Sequence, residues 1–322
     1  MTKYFYSKTF KMALSASISI LICNFIGIKF GVTSGIIAIL SIQDTKREAF
    51  LISLRRISAA FIAILFSFIL YIILGNNPII FGLFLIFYIP LTIKLKMQES
   101  MVVGAVLSTH LLSSENINYY WIINEVILTI VGICIAMIFN LYMPSLEEDF
   151  EENREKIEEN YRLIFSNMSD SLMMRNSQNE DKEIFRITEE LIEENKKIAK
   201  RICDNYLIFK HNYYYLSYMD MRSAQFETIR RMKKHFSRFY MTYSQTELLA
   251  EYTSKVAFNI RKDNDCIDLI NEMNILRKEY KEMDLPKNRD EFENRALLLQ
   301  FLNDLEDFLL LKKAFKQLKV DN

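Results

Sequence analysis

The sequence predicts an all-α protein: a six-span transmembrane helix bundle followed by a cytoplasmic antiparallel helical bundle. Three observations predict it. Residues 1–143 hold long apolar runs separated by short polar turns. Residues 144–322 carry charges at helical spacing throughout. Only 7 Gly and 4 Pro occur in 322 residues, too few for a turn-rich β architecture. Charge divides the chain at the same point. Residues 1–143 carry ten Lys/Arg against five Asp/Glu, so +5; residues 144–322 carry the other 30 and 35, so −5. The zero net charge hides this contrast. The domains are therefore 1–143, transmembrane, and 144–322, a cytoplasmic helical bundle.

The first span is 10–28, near the roughly 20 residues needed to cross the hydrocarbon core. It reads as a span and not as a cleavable signal peptide, because more apolar sequence follows it instead of a cleavage site and a polar chain. The others are 30–42, 57–74, 78–93, 101–112 and 121–143. The second and fifth are short, and so are re-entrant, tilted or extended by flanking polar turns. With six crossings both termini share one side. That side collects Lys3, Lys8, Lys11, Lys46, Arg47, Arg55, Arg56, Lys94 and Lys96, whereas the other has only Lys29. This asymmetry puts both termini in the cytoplasm and the chain in the cell membrane, with the lipid bilayer as its first partner. Tyr4, Phe5, Tyr6, Tyr119, Tyr120 and Trp121 sit at span ends, as interfacial aromatics do.

The spans form two groups of three, each long, short, long. The short middle spans carry Gly31 and Gly35 in one group and Gly104 in the other. Each adjoins a Gln-acid pair, Gln43-Asp44 and Gln98-Glu99. Corresponding short, glycine-bearing spans point either to a transport site at a repeat interface or to marginal helices packed through small residues. Ionisable groups at membrane depth cost about 2.5–3.5 kcal/mol on insertion scales, so Lys29, Asp44, Glu99, His110 and Glu125 invite a reason. Glu125 and His110 are candidates for proton coupling, with an interfacial structural role as the alternative.

The stretch 43–56 is the richest feature. Asp44 is expected to cap a helix whose apolar Phe50, Leu51 and Leu54 share a face. Lys46, Arg47, Arg55 and Arg56 then gather at the cytoplasmic mouth, where they attract anions or contact anionic lipid. The candidate anion pathway is Gln43, Asp44, Thr45, Arg55, Arg56, Gln98 and Glu99. The pattern Gln43-x-Thr45, an amphipathic stretch, then Arg56-Ile57-Ser58-Ala59 opening a long span resembles the aromatic acid exporter (fusaric acid resistance-like) superfamily. Six spans before a helical cytoplasmic domain is similar to its smaller, Gram-positive-type members. Relatives often have Gly-Thr where Ser58-Ala59 stands here. The resemblance implies gradient-driven export of aromatic carboxylates. More distantly it implies kinship with plant anion channels of the aluminium-activated malate type, dimeric with six spans per subunit.

In the second half, Ser145-Leu146-Glu147-Glu148 and Ser177-Gln178-Asn179-Glu180 read as capping boxes. Ser244-Gln245-Thr246-Glu247 caps a further helix, and Asn288-Arg289-Asp290-Glu291 starts the last one, running to about Leu318. With a break near 218–223, the expectation is four or five helices. The aromatic run Tyr213, Tyr214, Tyr215, Tyr218 suits core packing or an aromatic ligand. The basic cluster Arg230, Arg231, Lys233, Lys234, His235, Arg238 suits a solvated face or lipid headgroups. The acidity of this half argues against a nucleic-acid partner.

Cys23, Cys134, Cys203 and Cys266 lack ligand spacing and read as buried free thiols. His110, His211 and His235 are too scattered for a metal site. No P-loop, GxSxG or HExxH motif, kinase signature or dinucleotide loop occurs, so no enzyme, ATP-driven pump or cofactor is expected. The leading expectation is a homodimeric secondary transporter exporting small aromatic or organic acid anions. An anion channel gated by the bundle and a membrane-anchored scaffold or sensor are the alternatives.

Overall fold

A computed structural model describes residues 2–114, 118–143, 145–174, 181–206, 213–236 and 244–320. Every regular element among them is a helix. The chain forms two compact units, one built on the helices before Pro144 and one on the helices after it.

The first unit contains α1 (Thr2–Ile26), α2 (Val32–Ser41), α3 (Lys46–Leu74), α4 (Pro78–Lys94), a 3-10 turn (Gln98–Ser100), α5 (Met101–Leu112) and α6 (Tyr119–Leu141). Three helical segments, Lys8–Ile26, Lys46–Leu74 and Tyr119–Leu141, are long and apolar enough to cross a membrane. The second and fifth helices are short, as the sequence indicates. Local chemistry sets the starts. Asn77 accepts from the amides of Ile79 and Ile80, with Pro78 in the first turn, and Asn118 accepts from Tyr120. Asp44 is not the cap of α3: Thr45 is, its hydroxyl accepting from the Glu48 amide at 3.3 Å. Thr45 has the extended backbone a cap needs, while the Asp44 carboxylate is drawn to Lys8, 2.7 Å away.

The burial pattern is inverted relative to a water-soluble helix bundle. Phe25, Ile73, Ile79 and Ile86 are exposed, whereas Ser15, Ser19, Ser34, Ser67 and Ser108 are fully buried. Small and hydroxyl side chains let helices approach where lipid supplies no hydrophobic drive. At Gly132 an added Cβ would come within 2.6 Å of the Ser34 carbonyl, so α6 and α2 are nearly in backbone contact. At Gly104 it would meet the Tyr88 side chain and Ala63.

The packing of the two helix triplets is reciprocal. α1 packs on α2 and α4 on α5; α2 packs on α6 and α5 on α3; α1 packs on α6 and α4 on α3; α3 and α6 pack on each other. Exchanging α1–α3 with α4–α6 maps this pattern onto itself, which is how two repeats pack about a pseudo-twofold axis.

The second unit contains α7 (Glu147–Met174), α8 (Asp181–Asn205), α9 (Tyr214–Phe236), α10 (Ser244–Phe258), α11 (Ile267–Glu282) and α12 (Arg289–Val320) around one apolar core. α7 packs on α10 and α9 on α12. Among the described residues six helices replace the expected four or five. α9 runs unbroken through 218–223, and an unforeseen turn at 259–266 separates α10 from α11. Asn259, Asn264 and Asp265 drive that turn. The Asn264 side chain bridges the Asn259 carbonyl and the Cys266 amide, Asp265 accepts from Ile267, and Cys266 adopts φ +64°. The Asn288 cap is formed, accepting from Glu291 at 2.8 Å, while Glu291 accepts from the Lys287 amide. Ser145 accepts from Glu147, Ser244 opens α10, and the 177–180 box lies outside the described residues.

Candidate functional site

The first unit buries two groups of ionisable side chains at opposite ends of the α2–α6 pair. At one end, His110 near the close of α5 meets Glu125 in the second turn of α6. His110 Nδ1 lies 2.8 Å from Glu125 Oε2, with Glu125 fully buried. The sequence ties the two only as separate candidates; the fold brings them into contact. His110 Nε2 lies 3.2 Å from Thr33 Oγ1, and Phe30 stacks on the imidazole at 4.2 Å. Asn124 donates to Glu125 Oε1 at 3.0 Å and clamps the Lys29 backbone through both its amide groups. The Lys29 ammonium sits 5.2 Å over the Trp121 ring.

This geometry tolerates two protonation states. With its proton on Nδ1, neutral His110 donates to Glu125 and accepts from the Thr33 hydroxyl. With a second proton on Nε2, the imidazolium donates to both. Thr33 turns its hydroxyl to suit either arrangement, so the hydrogen-bond geometry does not select one.

At the other end stands Arg56, 2% exposed on the inner face of α3. Its Nη1 donates to Ser41 Oγ at 2.5 Å and to the Ile37 carbonyl at 3.4 Å. Its Nε has no hydrogen-bond partner, and no carboxylate forms an ion pair with it among the described residues. The field of Glu99 reaches it from the 3-10 turn, which packs on α3. A buried guanidinium held by neutral acceptors keeps donors and charge available for an anion. Thr33 and Ser41 are eight residues apart on α2, so the two groups are separated by about 12 Å of helix.

The remaining predicted residues divide. Thr45 is buried as the cap of α3, and Asp44 pairs with Lys8. Gln43 donates its side chain to the Leu40 carbonyl and its amide to Asn140, which also holds the Ser41 carbonyl at 2.8 Å. Arg55 faces outward, so the expected Arg55–Arg56 pair is split by the helix period. Gln98 and Glu99 are exposed. Phe30, Thr33, Ser41, Asn124 and Asn140 belong to the site and were not singled out in the sequence. Asn124 and Asn140, polar residues in the apolar run of α6, were the available signal.

In the second unit the aromatic run is core. Tyr218 is fully buried and donates to Glu158; Tyr214 and Tyr215 are partly buried against the core, and Tyr213 is exposed. The basic cluster is largely paired within the unit: Arg230 with Glu189 and Glu227, Arg231 with Asp304 at 3.0 Å and Asp307 at 3.2 Å. Lys233 lies 4.3 Å over the Phe185 ring. The side chains of His211, His235 and Arg238 lie outside the described residues. Of the free cysteines, Cys23 and Cys266 are buried, but Cys134 is exposed and Cys203 half-buried, so the expectation of four buried thiols fails. Cys134 lies on the outer face of α6, where apolar surroundings need not be protein. Among the described residues no cluster of three or more His, Cys, Asp or Glu could hold a metal ion.

A polar membrane interior within two helix triplets, followed by a helical second unit, defines a transporter-like membrane protein. Residues 4–143 match the model of aromatic acid exporter family member 1, and residues 147–313 match that of the aromatic acid exporter C-terminal domain. The chain belongs to the aromatic acid exporter family. It is 35% identical over 312 residues to the uncharacterized protein YqjA of Bacillus subtilis (strain 168), covering 97% of this chain and 96% of that one. It is 25% identical over 164 residues to the UPF0421 protein YgaE of the same organism, covering 49% of this chain and 46% of that protein. A crystal structure of a Clostridium difficile 630 protein matches 52% of the chain and 98% of its own, with TM-score 0.46 and 22% identity.

Proposed function

We propose that this protein is a proton-coupled secondary transporter that exports small aromatic or organic acid anions across the cell membrane. The observation that carries the reading is the buried His110–Glu125 pair, two ionisable groups 2.8 Å apart among apolar helices. Arg56 supports the choice of an anion, because it is a buried cation without a carboxylate partner among the described residues.

In this reading α1–α6 make six crossings and the second unit is a cytoplasmic antiparallel bundle. The excess of Lys and Arg at Lys8, Lys46, Arg47 and Lys94 puts the Arg56 end inside. The His110–Glu125 end then faces out. A carboxylate entering from the cytoplasm meets Arg56 first. A proton entering from outside meets the His110–Glu125 pair, with Lys29 and Trp121 at its rim. Export is driven by the inward proton gradient when each occupancy favours one of two arrangements of the reciprocally packed triplets. Six helices, two of them short, leave little width for a complete path, so the working unit is a homodimer with the pathway at or near the subunit interface.

The test is efflux of labelled 4-hydroxybenzoate from proteoliposomes with and without an imposed proton gradient. Gradient-dependent release supports the exporter. Gradient-independent release with steady current indicates a channel, and no release for several aromatic and dicarboxylic acids indicates a scaffold or sensor. Crosslinking in native membranes that yields only monomers would count against the dimer.

A further inference from the structure

We propose that the second unit contains a binding site for a small monovalent anion of about the size of chloride, where Lys312 and Arg222 border the turn at 259–266. A cavity opens there, lined on its polar side by Arg222, Gln225, Asn259, Arg261, Asn264 and Lys312 and closed by apolar side chains such as Phe308. The space is close to the least that holds one water, so its occupant is a single water or a monatomic ion. A benzoate-sized ligand does not fit.

Two carboxylates near the cavity are already paired. Glu158 is already engaged by Arg154 at 2.8 Å and by Arg222, and it accepts from Tyr218. Glu151 is engaged by Arg154 and Lys262, each at 2.7 Å. Lys312, 2% exposed, forms no ion pair among the described residues. Its ammonium donates to the Lys262 carbonyl at 3.0 Å and lies over the rings of Tyr218 and Phe315, at 5.1 and 6.0 Å. An ammonium has three donors, and a buried charge without a counter-ion must lose its proton or gain an anion.

Both responses are linked. Burial, reinforced by Arg222, pushes the Lys312 ammonium down to about 7. The groups that face it are Tyr218 and Arg222 from α9, Glu158 from α7, Cys266 from the turn, and Lys316 on α12 itself. An anion beside Lys312 holds the proton on, so anion affinity falls as pH rises from 6 to 8. The site is independent of the transport reading, since it lies wholly within the second unit.

The experiment is chloride line broadening by NMR on the purified full-length protein, with gluconate keeping ionic strength constant. Saturable broadening at pH 6 that bromide displaces, 4-hydroxybenzoate does not displace, and pH 8 weakens is expected. Lys312→Gln is expected to weaken binding by about tenfold or more, the loss of at least one charge-assisted contact. Arg56→Met is expected to leave the pH-dependent component of the broadening in place, which separates this site from the first unit. If Lys312→Gln does not fold, the wild-type pH series decides. Broadening that is absent, independent of pH, abolished by Arg56→Met or retained in folded Lys312→Gln overturns the proposal. So does displacement by 4-hydroxybenzoate.

Discussion

His110 Nδ1 and Glu125 Oε2 lie 2.8 Å apart, fifteen residues apart in sequence, with Glu125 fully buried and His110 nearly so. His110 is held by Glu125 and Thr33, and Glu125 by His110 and Asn124. Glu125→Gln keeps the shape and a hydrogen bond but removes the proton-accepting carboxylate. Efflux driven by a pH gradient is therefore expected to fall to background in Glu125→Gln and His110→Ala. Gradient-independent exchange of labelled for unlabelled substrate is expected to survive in Glu125→Gln. If gradient-driven efflux persists in both variants, the pair is structural and the coupling lies elsewhere.

Arg56 allows function and stability to be separated. A buried charge without a carboxylate partner destabilises the fold, and replacing buried charges by apolar side chains is often neutral or stabilising by about 1–4 kcal/mol. Arg56→Met is thus expected to unfold at the same temperature as wild type or above it, and yet to lose transport. Arg56→Lys keeps the charge but not the planar fork, and KM is expected to rise by about tenfold. Thermal unfolding in detergent and efflux kinetics on the same preparations check both. Parallel loss of stability and transport in Arg56→Met would make Arg56 a packing residue.

The helical class and the ionisable residues of the candidate site stood out in the sequence for different reasons. Apolar runs and capping boxes are local, so α3, α4 and α12 begin within a few residues of where their turn chemistry puts them. Arg56, His110 and Glu125 were legible because a charge in an apolar run is costly and therefore conspicuous. Their partners were not, because the contact of His110 with Thr33 and Glu125 depends on three helices meeting. Asp44 was misread as a cap because cap preference is shared by adjacent Asp and Thr; the pull of Lys8, 36 residues away, decides between them. The turn at 259–266 was missed because its Asn and Asp side chains also suit a helix surface, and only their bonds to the backbone end α10.

The reciprocal packing of the two triplets depends on close approach. Gly132→Ala sets a methyl group against the Ser34 carbonyl, backbone that cannot swing aside, and against the Ile37 side chain. It is expected to destabilise the first unit by about 1–3 kcal/mol, an overpacking cost. Gly104→Ala meets the Tyr88 side chain and Ala63, and Tyr88 also donates to the Ala59 carbonyl, so it is not free to move. Thermal unfolding of each variant in the same detergent measures the effect. Wild-type stability in Gly132→Ala would mean that α2 and α6 do not pack this closely.

Glu158 ties α7 to α9 through Arg222 and Tyr218, and to Arg154 one turn back on its own helix. Burial pushes its carboxyl up, but Arg222, Tyr218 and Arg154 outweigh this and hold it below the usual range. Its contribution to stability is therefore complete above the ordinary carboxylate range and is lost as pH falls through its lowered value. Glu158→Gln removes the carboxylate partner of the fully buried Arg222, while Arg154 keeps Glu151 and Glu155, and is expected to cost about 3–5 kcal/mol. Limited proteolysis after the last span, compared with wild type at neutral pH, reads the loss directly. Unchanged protease resistance would show that Arg222 finds another acceptor.

Lys312 imposes a slope of the opposite kind. Its folded value near 7 lies below that of an unfolded lysine, so between them the unfolded chain binds a proton that the folded chain does not. Stability of the second unit therefore rises with pH from about 7 toward the ordinary lysine range. Below 7 both states are protonated, the slope from this residue vanishes, and the full cost of the buried charge remains. Lys312→Met removes that cost and is expected to flatten the profile, raising stability most at neutral pH and below. The check is the second unit's unfolding midpoint measured at pH 6, 7, 8 and 9 in gluconate, so that no small anion masks the titration. Parallel wild-type and variant profiles would mean that Lys312 keeps an ordinary affinity for its proton, with a counter-charge already beside it.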